Sequence, residues 1–529
     1  MATIEVLDST LRDGAQAPGI SYSLQDKLKV IGLLDRLGVD LIEAGNPASN
    51  PKDAELYRRA ESLRLKRARL AAFGMTCRAG TAPQEDPAMA ALLAADTGVV
   101  VLVGKASADQ VRRVLQTDLQ ENLRMIEQSC RYLADRGRSV IFDAEHFFDA
   151  WSDDPKYAEA ALRAALAGGA RCLCLCDTRG GALPDEITQA VSAVRRDFPG
   201  CTLGIHTHDD GGLAVANTLQ AVRAGADHVQ GTLLGYGERC GNANLASVLA
   251  NLILKMDLQA LQGQGLGSLT SICRQVADLA NKRLPDTQPF VGSAAFSHKA
   301  GLHIDGVLKD RESFEHIPPE AVGNRRHFVV SEVAGRSLMA RRLGEDYTKD
   351  SPEVADMLAQ VKEKEGQGYQ YENAQGSFEL MAARVLGRYQ SFFTLKQFSI
   401  LTQRGKGGEQ ATHATAMIKI EVNGRSEITA AEGNGPVDAL NRALQKALRV
   451  FYPAIDSVRL TDYKVRVIDS EAGAAASVRV LIEFTDGREI WNTVGVSTDV
   501  IEASWLALVD GAEVALMHWG AGKALPTDA

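Results

Sequence analysis

Residues 202–244 read TLGIHTHDDGGLAVANTLQAVRAGADHVQGTLLGYGERCGNAN. An apolar run ends in His206 and His208, and the stretch closes on Glu238, Arg239 and Asn242 in a glycine-rich turn. On a strand, residues i and i+2 project from one face. Two imidazoles on one face are either buried, hydrogen-bonded histidines or a pair of metal ligands. What else faces the same cavity decides between them. The segment GLAVANTLQAVRAGA has apolar residues at helical spacing, so the stretch reads as strand, helix and a second strand, HVQGTL.

The same alternation runs back to the start of the chain. Apolar runs recur at IEVLDST (4–10), DLIEAG (40–45), RLAAFG (69–74), VVVLVG (99–104), VIFDAE (140–145), RCLCLCD (171–177), TLGIHTH (202–208) and HVQGTL (228–233). Near-continuous apolar runs suit parallel strands buried on both faces. The segment SLQDKLKVIGLLDRLG predicts a helix capped by Ser23 and stopped at Gly38. Eight such units predict a (β/α)8 TIM barrel, an α/β fold, over residues 1–285. An open dinucleotide-binding sheet would carry GxGxxG after strand one, and that turn is absent.

TIM-barrel chemistry gathers at the C-terminal strand ends. Polar residues fall at those ends: Arg12 and Asp13, Glu43, Asp143 and Glu145, Asp177 and Thr178, His206 and His208, then Glu238, Arg239 and Asn242. So many on one rim would be costly to bury without function or full pairing. Asp13 with two histidines suits a catalytic divalent ion better than a closed structural zinc. Arg12 reads both as a partner of Glu43 and as a group aimed at a substrate oxygen.

Composition sets the outer limits. The 529 residues exceed one ordinary core. A net charge of −9 argues against a nucleic-acid or anionic-membrane surface, and no apolar run reaches membrane-spanning length. The first residues lack a basic-plus-apolar leader, so a cytoplasmic location is expected. The eight cysteines show no disulfide framework. Cys172, Cys174 and Cys176 alternate on one strand face and read as small packing residues rather than metal ligands.

LDSTLRDGAQ, IEAG, DAEH, CDTRGG, HTHDDGGLAVAN and GYGERCGNA resemble the acyl-CoA-condensing metal enzymes of the 2-isopropylmalate, homocitrate and citramalate synthase group. LRDGAQAPGISYS, FDAEHFFD and VGNRRHFVVSEVAGRS lean toward its long citramalate branch. The resemblance implies condensation of acetyl-CoA with a 2-oxo acid, pyruvate on that branch, then thioester hydrolysis, as the first step of an isoleucine route. It implies a divalent ion (Mn, Mg, Zn or Co) on Asp13, His206, His208 and Asn242. Arg12 would polarise the ketone, Glu43 would orient Arg12, and Thr178 would hold the substrate carboxylate, with Asp143 also against the substrate. Glu145 would lie where the acetyl methyl is activated, and His303 would reach a partner subunit's site in a homodimer. Relatives often carry Tyr where this chain has Phe314, which removes a hydroxyl from any proton relay. Leu102 and Val103 are the candidates for the wall around pyruvate's methyl, with barrel packing as the alternative. A larger 2-oxo acid, a retro-Claisen lyase and a silent amino-acid sensor stay open as other readings.

Residues 286–390 read as a helical linker, with KEKEGQG (362–368) as a hinge or a solvated helix end. From 391 the pattern turns to strands and tight turns. Residues 414–448 resemble 476–511, each preceded by an extra strand, which predicts two βββα units in an α+β domain. Asn423-Gly424 and Asp486-Gly487 read as matching hairpin turns. In the resembled family this domain is regulatory and dimerising, and on the citramalate branch its effector would be isoleucine. The loops at Gly433–Gly435 and Gly495–Asp499 are the places to look for its contacts.

Overall fold

The structure is a computed structural model that describes residues 3–60, 63–262, 265–328, 336–344, 346–404, 412–468, 475–487 and 489–520. It divides into two compact units. One comprises residues 1–296 and 316–326, the other residues 297–315 and everything from 327 onward.

The first unit is a closed barrel of eight parallel strands in sequence order: β1 (Glu5–Asp8), β2 (Leu41–Gly45), β3 (Arg69–Met75), β4 (Val99–Lys105), β5 (Ser139–Glu145), β6 (Cys172–Asp177), β7 (Thr202–Thr207) and β8 (His228–Gly231). β8 closes it by pairing with β1. The helix Leu24–Leu37 begins on a Ser23–Asp26 capping box and ends on Gly38 at φ +96°, a left-handed position that glycine adopts without steric cost.

Strand alternation builds two apolar layers. Leu7, Leu41, Ala71, Val99, Val101, Ile141, Cys172, Cys174 and Cys176 fill the barrel interior. Val6, Ile42, Val100, Leu102, Val140, Phe142, Leu173 and Ile205 face the surrounding helices. Leu102 therefore belongs to the outer layer, which favours the barrel-packing alternative over a substrate wall. Val103 shares the interior parity of Val101, because side chains alternate with period two.

The second unit packs helices Gly301–Lys309, Arg336–Leu343, Pro352–Gly366 and Gln375–Val385 around Ile304, Met339, Met357, Val361 and Phe378. KEKEGQG is no hinge: its first five residues complete the helix Pro352–Gly366. Two βββα units follow. β9 (Thr394–Arg404), β10 (Thr412–Val422) and β11 (Arg425–Gly433) precede the helix Pro436–Arg449. β12 (Arg459–Val467), β13 (Val478–Thr485) and β14 (Ile490–Ser497) precede the helix Val500–His518.

The two hairpins differ. Val422 pairs with Arg425 across a two-residue turn in which Asn423 and Gly424 both have positive φ. Thr485 pairs with Ile490, so Asp486-Gly487 belongs to a longer loop. Gly495 lies within β14 rather than in a loop, and a Cβ there would fall 2.0 Å from the Ala503 carbonyl oxygen. Gly433 is alike, 2.4 Å from the Ala439 nitrogen. Both glycines let a helix approach its sheet. Among the described residues no helix is long and apolar enough to cross a membrane.

Candidate active site

The C-terminal mouth of the barrel brings together residues from its first and last strands. The turn after β1 carries Asp13, 3% exposed, while β7 carries His206 at 5% and the residue just past its end is His208 at 8%. His206 Nε2 lies 3.4 Å from His208 Nε2 and 3.7 Å from Asp13 Oδ2. One potential ligand atom from each of the three lies within 4.8 Å of the others. The turn after β8 folds back to pair Asn242 with His208, and Asn242 Nδ2 donates to Asp13 Oδ1 at 3.0 Å. Asn242 Oδ1 and His208 Nδ1 are buried without a partner.

Electrostatics tune the set for a cation. Burial, then the neighbouring His208, pushes His206 down to about 3, and burial also lowers His208. Both imidazoles are therefore neutral near pH 7 and have lone pairs to offer. Burial opposes ionisation of Asp13, but Arg12 and the two histidines outweigh it and hold the carboxyl at about 2. Two nitrogen lone pairs, a carboxylate and an orphaned amide oxygen fit a divalent ion.

Arg12 is fixed from three sides. Its Nε lies 2.6 Å from Glu43 Oε2, its Nη1 lies 2.9 Å from Asp13 Oδ2, and its guanidinium lies 3.9 Å over the Phe73 ring. Ser9 Oγ donates to the same Glu43 oxygen. Burial disfavours the Arg12 charge, yet Glu43 and Asp13 raise its pKa above the ordinary value. A buried guanidinium between two carboxylates, aimed by planar contacts, is a preorganised donor for developing negative charge.

The remaining predicted residues divide. Thr178 Oγ1 accepts from the His146 amide at 2.8 Å, and Arg239 donates to the Thr178 carbonyl and to Asp210, tying three rim loops together. Asp143 commits Oδ1 to Gln230 at 2.8 Å. Burial, with Glu43 next, pushes its carboxyl up to about 7. Glu145 Oε2 lies 2.5 Å from Lys105 Nζ. His303 lies in the second unit, exposed on the helix Gly301–Lys309, its ring stacked 4.4 Å from Phe314. Cys174 and Cys176 come close to Asp143, and burial raises both thiols above their ordinary value.

Sequence reasoning missed Lys105, Gln230 and Phe73. Parity carried a signal for two of them. Lys105 is two residues beyond inward-facing Val103, and Gln230 is the register partner of His206 on the neighbouring strand.

A TIM barrel with a buried arginine and a candidate metal site at its C-terminal mouth defines a class of barrel enzyme. Residues 3–275 match the HMGL-like family, residues 290–368 the homocitrate synthase post-HMGL domain-like family, and residues 372–516 the LeuA allosteric (dimerisation) domain. The (R)-citramalate synthase of Aquifex aeolicus is 44% identical, covering 97% of this chain and 98% of its own. That of Synechocystis is 44% identical over 96% and 95%. The 2-isopropylmalate synthase of Pyrococcus furiosus is 31% identical over 95% and 97%. The chain belongs to the HMGL-like family and, within it, to the (R)-citramalate synthases.

Proposed function

We propose that this chain condenses acetyl-CoA with pyruvate and water to give (R)-citramalate and CoA. The observation that carries the reading is the cluster of Asp13, His206 and His208 beside a pinned Arg12, in a chain of the citramalate synthase family. Asp13, His206, His208 and Asn242 would hold the divalent ion, whose chemistry is to make a ketone electrophilic. Arg12, oriented by Glu43, faces the ketone oxygen and stabilises the alkoxide that develops there. Thr178 and Asp143 position the 2-oxo acid, and Val103 bounds the space for its methyl.

The α-proton of a thioester is weakly acidic, so its removal needs a base matched to an enolate stabiliser. Glu145 takes that proton in this reading, its Oε2 held 2.5 Å from Lys105 Nζ. His303, from a partner subunit, faces the same step without a hydroxyl at Phe314. Residues 1–285 carry catalysis, 286–390 link, and 391–529 regulate and dimerise, with isoleucine as effector. A cytoplasmic setting is part of the reading, supported by eight free cysteines.

The test is release of free thiol from acetyl-CoA by Mn2+-supplemented protein, with pyruvate, 2-oxoisovalerate and 2-oxoglutarate in separate assays. Pyruvate is the preferred substrate; no thiol release with any of the three sinks the synthase reading, and preference for a larger acid moves it to another branch. Added isoleucine lowers the pyruvate-dependent rate. A rate indifferent to saturating isoleucine removes the effector.

A further inference from the structure

Two buried polar side chains lie below the candidate metal site, and the hydrogen bonds between them and to His206 have no part in substrate binding. Gln230 on β8 and Asp143 on β5 are 0% and 3% exposed. They are joined across the barrel interior, since β6 and β7 lie between their strands. Gln230 Nε2 donates to Asp143 Oδ1 at 2.8 Å, and Gln230 Oε1 lies 3.0 Å from His206 Nδ1.

The chemistry of an amide makes this chain directional. One end of Gln230 only donates and the other only accepts. Asp143 Oδ1 accepts whether the carboxyl is ionised or carries its proton on Oδ2. It therefore draws the NH2 end and leaves Oε1 for His206. Only a protonated Nδ1 can satisfy Oε1. The lone pair of His206 is then confined to Nε2, the nitrogen that faces His208 Nε2 and Asp13 Oδ2. With the amide reversed, its NH2 would demand a bare Nδ1 and place the imidazole proton on Nε2, where it blocks a cation. Nearby interior positions are Leu7, Leu41, Val101 and Ile141. A Gln–Asp pair there carries a desolvation cost that packing alone does not explain.

We propose that Gln230 is a positioning residue that holds His206 in the Nδ1-protonated form for a divalent ion, and that Asp143 fixes the orientation of Gln230. This rests on the metal-site reading above. Outer hydrogen-bond partners of metal-bound histidine change affinity by about 10–100-fold.

The experiment measures Mn2+ affinity of the metal-stripped full chain by competition with a chelator, with thermal unfolding of the same samples as a fold check. Gln230→Leu weakens Mn2+ binding by about 10–100-fold. Gln230→Glu, which still accepts from Nδ1–H, restores binding to near the wild-type level. Asp143→Leu weakens binding only while Gln230 is present, so the double variant Gln230→Leu/Asp143→Leu binds no more weakly than Gln230→Leu alone. The double variant also removes the stranded carboxyl, which covers the case in which Gln230→Leu folds poorly. Wild-type Mn2+ affinity in the double variant overturns the proposal. An additive loss in the double variant overturns the part assigned to Asp143. Asp13→Ala serves as the reference: if it loses Mn2+ while the Gln230 variants keep it, the positioning role fails and the metal site stands. If Asp13→Ala also keeps full affinity, the metal-site reading fails.

Discussion

The two ends of the barrel each hold a carboxylate and an imidazole, and they use them differently. At the N-terminal end, Glu5 accepts from His228 Nδ1 at 2.8 Å and from Arg171 at 3.0 Å, with Arg69 at 3.6 Å. One acceptor group is surrounded by donors. At the C-terminal end, Asp13 meets two imidazoles that turn their Nε2 atoms toward each other, with an amide oxygen left bare nearby. Acceptors there outnumber donors. The first arrangement is a plug that stabilises the fold; the second has the surplus of acceptors that a bound cation would satisfy. Carboxylate–imidazole proximity alone does not distinguish structure from function, but the balance of donors and acceptors does.

The contrast makes graded predictions. The largest effect is expected from Asp13→Asn, which should lower Mn2+ affinity and turnover together by more than about 100-fold, beyond the loss from an outer partner. Full turnover in that variant removes Asp13 from the ligand set. Leu102→Ala, in the wall between the two ends, should cost about 2–5 kcal/mol in denaturant unfolding. Its preference among 2-oxo acids should stay that of the wild type; a change in preference would return Leu102 to the substrate wall. Val103→Ala should do the reverse, relaxing discrimination against an acid one methylene larger than pyruvate by about 1–3 kcal/mol.

Glu5→Gln is the smallest. Discounted for partial exposure of the pair, it should cost about 1–2 kcal/mol at neutral pH, with turnover unchanged. Burial opposes the Glu5 charge, but His228 and Arg171 hold its carboxyl at about 2, below the usual 4.5. A depressed folded value stabilises above the unfolded pKa. The difference in unfolding temperature between wild type and Glu5→Gln should therefore be full above pH 4.5 and shrink as pH falls toward 2. A constant difference across that range would assign the effect to packing.

The barrel was legible because strands buried on both faces leave continuous apolar runs, and eight of them recur at one strand-plus-helix spacing. The meeting of Asp13, His206 and His208 was legible because the two-residue spacing of HxH on a strand is enough to fix a shared face. The orientation of Leu102 was not legible for a related reason. VVVLVG is apolar at every position, so nothing inside the run marks the inward parity. Lys105, just beyond the run considered, does mark it, as do Asp143 and Glu145 on the adjacent strand. Gln230 was harder to see, since its meaning lies in atoms of β5 and β7 that no spacing along β8 reveals. The glycine at 495 misled for a different reason: a close helix approach and a ligand loop both select a missing side chain.

Asn242 and Asp13 are hydrogen-bonded across 229 positions of chain. A polypeptide emerging from the ribosome has the first member of the cluster almost at once and lacks the rest until residues 206–242 have followed. No shorter fragment can assemble the cluster. Closure of the cluster is consequently a late event in synthesis, and any cation it took up would report that the last strand has met the first.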